Sequence, residues 1–498
     1  MNVNPITRLD YPDPDVIRVE DTYYMVSTTM HFMPGCEILQ SFDLVHWEHA
    51  TYVYETLDHT DAQQLKSGQN IYGQGMWAAS LRYHEGRFYI CFVANDTRKT
   101  YLYTSEKIDG PWKKQLIEGF YHDGSLLFDE DGRNYIVYGN DEIWITELNE
   151  DLTAPKKDGL HRLLVSDHKN PELGYEGSHI QKINGYYYIF LIHSLRDRWM
   201  RTEACFYSDS LEGEFTGGDV LCDDRGYCGQ GVAQGGIVDT PDGKWYAMLF
   251  QDSGAVGRIP ILVPVTWKDH FPVFGQNGHV PEEIEVHSTR PGYIYQPLVG
   301  SDDFCNGLLP RWQFNHDPDP RYYHLDALQG TYTITTREVC TELTQAVNTL
   351  TQRMSYPSCA AEVTVDASAL KEGDVAGLCA FQGCYAAVGI TKHHGKYEVL
   401  MLDKKEDGIL DMTEGTVVES HQMDFRLEAD FCNMKDEARC YYRVNKGDWL
   451  PIGTVHKLYF KLDHFTGCRF GLFCYAAEET GGSACFRDFK YYDVDEIS

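Results

Sequence analysis

The sequence predicts an all-β protein: a five-bladed β-propeller followed by a C-terminal β-sandwich. Three observations predict it. One strand–turn–strand unit recurs five times in the first 300 residues, helix-period stretches are nearly absent, and short alternating runs return beyond Ser301. The units are Val16–Ser27 around Glu20-Asp21, Leu81–Val93 around Glu85-Gly86, and Leu126–Tyr138 around Asp131-Gly132. Ile180–Ile192 around Asn184-Gly185 and Ile237–Phe250 around Asp242-Gly243 complete the set. Asp-Gly and Asn-Gly between alternating apolar runs signal hairpins, because these residues tolerate the left-handed backbone of a tight turn. Each unit puts a Tyr early in its second strand: Tyr24, Tyr89, Tyr135, Tyr188 and Tyr246. The intervals leave room for two more short strands per unit, and four strands repeated five times make a propeller.

The segment from Gly275 to Gly300 is rich in turn residues and reads as a connector, closing a propeller domain at 1–300. Alternation then resumes at Thr331–Thr336, Ala361–Ala367, Ala386–Lys392, Tyr397–Asp403, Phe425–Phe431 and Arg469–Cys474. Many short strands without helices predict a sandwich over 301–498.

Composition narrows the partners. Acidic residues outnumber basic ones 75 to 43, a formal charge of −32, so phosphate backbones and anionic lipid are repelled. Neither nucleic acid nor membrane is an expected partner; a small neutral oligosaccharide is, and homo-oligomer formation stays open. No secretory leader or membrane-length apolar run is apparent. Fifteen Cys are scattered without metal-finger spacing, which suits free thiols in the cytoplasm.

Counting back from the repeated Tyr exposes a register. Twelve residues before Tyr89, Tyr135, Tyr188 and Tyr246 lie Trp77, Asp123, Glu176 and Gln234. Eleven before Tyr24 lies Asp13, and a turn one residue shorter in the first unit would account for the difference. Each sits just before the first strand of its blade, so all five converge on one end of the central channel. Asp is favoured in turns for its own sake, but Glu is not. Three acids in register repel one another, a cost that function explains better than folding does. Two carboxyl groups facing across a pocket, one protonated and one ionised, are what glycoside hydrolysis requires. A third tunes the acid.

At these residues the chain resembles glycoside hydrolase family 43, in its two-domain β-xylosidase and α-L-arabinofuranosidase type. NPITRLDYPDPDVIRVEDTYYMVST is similar to the family's opening segment, HDGSLLFDEDGRNYIVYG to its DPSLF segment, and YEGSHIQKINGYYYIFL to its E-G-H-I segment. The resemblance covers nearly the whole chain. It implies that Asp13 is the general base, Glu176 the general acid, and Asp123 the residue that tunes and orients that acid. It also implies substrate contacts by Phe32 in HFMPG, Trp77 in GMWAASLRYHEGRFY, Gln234, Arg258 in GAVGRIPIL, and Phe465 in DHFTGCRFGL, whose loop caps the pocket. The sandwich would then be concanavalin-like. The expected reaction is inverting removal of terminal β-D-xylosyl or α-L-arabinofuranosyl residues from xylan or arabinoxylan oligosaccharides. No cofactor is required for it. Gln234 departs from the pattern: the family has a His there that binds a central calcium or water cluster. A neutral Gln is a weaker ligand, so a structural calcium stays in doubt and no metal ligand is assigned. The alternatives are a fructan or sucrose hydrolase, whose NDPNG and RDP segments are missing, and a non-catalytic sugar-binding propeller, in which a catalytic carboxylate would be lost.

Overall fold

The computed structural model describes residues 2–493. Five four-stranded antiparallel blades, the last with its innermost strand broken in two, form a propeller. Blade one comprises Asp15–Val19, Thr22–Val26, Gly35–Ser41 and Glu48–Tyr54. Blade two runs through Met76–His84, Arg87–Ala94, Lys99–Ser105 and Lys113–Ile117. Blade three has Ser125–Phe128, Asn134–Asn140, Glu142–Leu148 and His161–Ser166. Blade four has Glu176–Ile183, Tyr186–Ser194, Arg201–Ser208 and Thr216–Leu221. Blade five has Val232–Ala233, Ile237–Asp239, Trp245–Asp252, Arg258–Lys268 and Phe271–Phe274.

The innermost strands are tied round the channel by at least one bond at every junction. Leu81 N donates to Asp15 Oδ2 (2.7 Å), Leu126 N to Ser80 Oγ (3.1 Å), and Ile180 N to Ser125 Oγ (3.0 Å). Gln181 Nε2 donates to Ile237 O (2.8 Å), and Arg18 Nε to Asp239 O (3.1 Å), which closes the ring. Outside it, five apolar clusters fill the gaps between neighbouring blades. The start of the chain is pinned to the end of the propeller: Asn2–Val3 pairs with Glu283–Ile284, and Asn4 exchanges side-chain bonds with Leu262. The connector packs on blade one, where Gln296 N and the Tyr293 hydroxyl both donate to Glu48.

The register difference in the first blade has two causes, only one of them a turn. Tyr24 faces Ile17, four residues after Asp13. In blades three and five the Tyr again faces a residue four beyond Asp123 or Gln234. There the turns close on Asp129–Arg133 and Thr240–Lys244 backbone bonds and hold one residue more. In blades two and four the turns are as short as in blade one. A β-bulge between Met76 and Ala79, and another between Glu176 and His179, supplies the extra residue. Bulges re-aim side chains at the rim of a sheet, and these two carry Trp77 and Glu176.

The second domain is a sandwich of two antiparallel sheets around an apolar core that includes Phe425, Leu427, Phe470, Leu472 and Phe486. The six strands expected from alternation are present within a residue or a few of their predicted ends. One sheet extends through Gln313–Asn315 to Phe32–Met33, a strand that the blade-one loop contributes. The two domains therefore share a sheet. They also share buried charges: Arg353 pairs with Glu37 (2.8 Å) and donates to Asp10 O (2.9 Å). The Asp10 carboxylate accepts from Arg258 N (2.7 Å) and from Gly467 N (2.8 Å), joining blade five to a sandwich loop.

Candidate active site

Asp13, Asp123 and Gln234 all adopt left-handed backbone, with φ of 53°, 47° and 62°. Asp tolerates this region better than most residues, and its cost persists only where surrounding structure enforces it. In blade four Gly177 takes the same conformation beside Glu176, with φ of 62°. A Cβ at Gly177 would stand 2.7 Å from Gln234 Cδ, so glycine is required for close approach as well.

Asp13 is buried between two donors. Thr28 Oγ1 donates to its Oδ2 (2.6 Å), and Arg258 Nη1 makes an ion pair with its Oδ1 (2.8 Å). Asp123 is also buried, and its Oδ2 accepts from Gly177 N (2.9 Å). Glu176 is the more open of the acids; Asn140 Nδ2 donates to its Oε2 (2.7 Å). Between them stands His122, with Nε2 3.5 Å from Asp123 Oδ2 and 3.6 Å from Glu176 Oε2. Burial pushes the Asp123 carboxyl up to about 6; the His122 charge pulls it down, and the charges of Glu176 and Asp13 push it further up. The Asp123 charge lifts His122 to about 9 against the opposing effect of burial, with a further contribution from Glu176.

The pair His122 and Glu176 opens into a cavity of about 590 Å³, also lined by Trp77, Trp199, Arg201 and Phe465. That volume lies in the range of small-molecule sites. Trp77 forms one wall, 6.0 Å from His122 and 5.6 Å from Phe465, ring centre to ring centre. Phe465 comes from the sandwich and lies over the Arg258 guanidinium, 4.2 Å from ring centre to cation. The loop from the second domain thus reaches the carboxylate cluster through Arg258.

The structure brings Asp13, Asp123, Glu176, Trp77, Gln234, Arg258 and Phe465 to one end of the channel. It does not bring Phe32 there. Phe32 is fully buried in the interdomain cluster with Phe381 and Tyr385, with Arg469 stacked 3.4 Å from its ring centre. Its backbone pairs with the sandwich, which turns the loop away from the cavity. Gln234 packs against Gly177, and its N–H donates to Glu203 Oε2 (2.7 Å). Deeper in the channel, next to Gly236, both Asp15 oxygens are bound by Leu81 N, Arg82 and His179. The Arg82 guanidinium supplies a fixed positive charge beside this carboxylate.

Sequence reading missed His122, Thr28, Asn140, Trp199 and Arg201. For His122 a signal was present, since it adjoins a register position. Asn140 ends the second strand of its blade, and nothing in its neighbourhood distinguishes it before folding.

A model of glycosyl hydrolases family 43 matches residues 3–272. The chain belongs to this family. It is a glycoside hydrolase, and a model of the beta xylosidase C-terminal concanavalin A-like domain matches residues 301–492. Among solved structures, this family-43 chain is similar to a bifunctional GH43-CE protein of Bacteroides eggerthii, at 42% identity and TM-score 0.93. The match covers 100% of this chain but only 64% of that longer protein. A beta-xylosidase of Formosa agariphila is 26% identical over 99% of this chain and 89% of its own length. A xylosidase/arabinosidase of Butyrivibrio fibrisolvens is 24% identical over 99% of both chains.

Proposed function

We propose that this glycoside hydrolase removes terminal β-D-xylosyl or α-L-arabinofuranosyl residues from short xylan or arabinoxylan oligosaccharides, with inversion. The observation that carries the reading is the cluster of three carboxylates in three unlike settings beside one cavity. Asp13 is ion-paired and hydrogen-bonded in the channel, the arrangement of a general base that activates water. Glu176 faces the cavity and is placed to protonate the leaving oxygen. Asp123 is buried behind it and tunes the proton's position electrostatically. The relatives named xylosidase and arabinosidase support the pentose specificity. A sandwich loop over one side of the cavity supports attack on chain ends rather than on polymer interiors. The fifteen unpaired cysteines support work in a reducing compartment, the cytoplasm, on imported oligosaccharides.

The test is hydrolysis of 4-nitrophenyl β-xyloside and α-arabinofuranoside, with NMR of the first sugar formed from xylobiose. The expected product is the α-anomer of xylose, inverted at C1. A retained β-anomer would require one carboxylate to attack carbon and would sink the assignment of Asp13 as base.

A further inference from the structure

The acids act on one bond, and the sugar beyond that bond needs a surface to rest on. Two large apolar side chains in the cavity lining stay exposed: Trp199 at 43% and Leu462 at 70%. They come from different domains, Trp199 from blade four and Leu462 from the sandwich loop that carries Phe465. An exposed indole gains most from a partner that has an apolar face of its own and also leaves the cavity with water around its edge.

The position of Trp199 follows from the blade. Glu176 lies on the innermost strand and pairs with Ile192 of the second strand, which ends two residues later at Ser194. The turn over 195–200 leads into the third strand at Arg201, so Trp199 stands outward of Glu176 on the same blade. Asp13 comes from blade one, across the channel, where Arg258 holds it. A sugar held between these two acids turns its leaving oxygen to Glu176 and sends the next ring outward over blade four. The turn there is braced. Leu195 N donates to Met200 O (3.1 Å), Met200 N to Ser194 Oγ (2.7 Å), and Asn170 Nδ2 to Ser194 O (2.8 Å). Arg201 lies over the Trp199 ring, 5.2 Å from cation to ring centre, and Asp252 fixes that guanidinium at 2.7 Å. Protein thus backs one face of the indole, and its place is set before any substrate arrives.

We propose that Trp199 is the platform on which the leaving sugar stacks, a role that rests on the assignment of Glu176 as general acid. A xylosyl ring presents C–H groups on its faces and hydroxyls round its edge. It can lie flat on the indole while Glu172 and Gln230, also in the lining, exchange hydrogen bonds with the edge. Leu462 adds an apolar contact from the sandwich. The enzyme therefore prefers substrates whose leaving group is itself a sugar ring to glycosides of small alcohols.

The test compares an oligosaccharide with a glycosyl fluoride of the same reacting sugar. Xylobiose is set against β-D-xylosyl fluoride, or arabinofuranosyl-xylobiose against α-L-arabinofuranosyl fluoride, whichever sugar the native enzyme prefers. Fluoride departs as an anion, with no ring to stack and no need of a proton. In Trp199→Ala, kcat/KM should fall roughly tenfold or more on the oligosaccharide and stay within about twofold on the fluoride. Trp199→Phe keeps a flat face and should recover most of the loss; Trp199→Leu keeps bulk without the face and should not. Equal losses on the two substrates, or an unchanged oligosaccharide rate in Trp199→Ala, would overturn the platform. Should Trp199→Ala unfold, the Phe and Leu variants decide by the same comparison, and equal rates in those two would overturn it. Failure of the acid assignment looks different: Glu176→Gln would then keep its activity on the oligosaccharide.

Discussion

The chemistry of this protein is set by where the backbone places three acids. Asp13 and Asp123 occupy left-handed conformations that most side chains avoid, and Glu176 rides on a bulge with Gly177 behind it. The donors around each acid differ, and from those differences follow their roles. Asp13→Asn keeps the shape and loses the base, so hydrolysis of both xylobiose and a dinitrophenyl xyloside should fall ~10²–10⁴-fold. Glu176→Gln should fall by as much on xylobiose while sparing the activated substrate. Steady-state kinetics on the two substrates check the pair of roles; equal losses in both variants would reject them. Trp77 and Phe465 add apolar walls, and neither carries charge into a site already holding three carboxylates.

At the scale of elements, one loop of the sandwich connects the cavity to the domain interface. His464 neighbours Phe465 and stacks on Tyr72 of the propeller, ring centres 3.9 Å apart. His31 and His316 lie behind them, at 5.7 Å from His464 and 5.0 Å from one another respectively, measured from His31. All three rings are buried, and burial pushes His464 down to about 4 and the other two well below 6.5. The charged groups facing them are Asp463, which opposes the shift at His464, Lys404, which adds to it, and Arg469, which adds to the shift at His31. The unfolded chain binds these protons near 6.5 and the folded one does not. Stability therefore rises with pH, is complete above about 6.5, and is lost as pH falls from there toward 4. Thermal unfolding followed across that window should show the midpoint dropping, and dropping less steeply in His464→Gln. An equal slope in the variant would remove this cluster as the cause.

At the scale of the molecule, propeller and sandwich form one structure. They share a sheet through Phe32–Met33, a buried Arg353–Glu37 pair, and the Asp10 carboxylate that holds both Arg258 and Gly467. Ala255, Val256 and Ile259 of blade five belong to the sandwich's apolar core. A chain ending near Gly300 would expose these residues together with Phe32 and Met33, and would leave the cavity without Phe465. It should be insoluble or nearly inactive, as judged by soluble yield and xylobiose hydrolysis. Phe465→Ala in the full chain should instead keep the fold and raise KM severalfold. A soluble propeller with full-length activity would show the sandwich to be an appendage.

Sequence alone determined the repeat. A hairpin is a local object, so Asp-Gly and Asn-Gly turns with a Tyr at constant offset reveal five blades before any long-range contact is considered. Equivalent positions in equivalent blades must then meet on the axis, and so Asp13, Asp123 and Glu176 could be found by counting. The same logic located Trp77 and Gln234. Periodicity could not tell a long turn from a bulge, because both insert one residue, and only the pairing distinguishes them. Nor could it place Phe32, whose short strand chooses between the pocket and the second domain according to which edge it meets. His122, Thr28 and Asn140 reached the site by the same kind of decision. Thr28 meets Asp13 across the first hairpin, while His122 and Asn140 meet Glu176 of the next blade, and no local pattern records which side chains the closing of a ring will bring together.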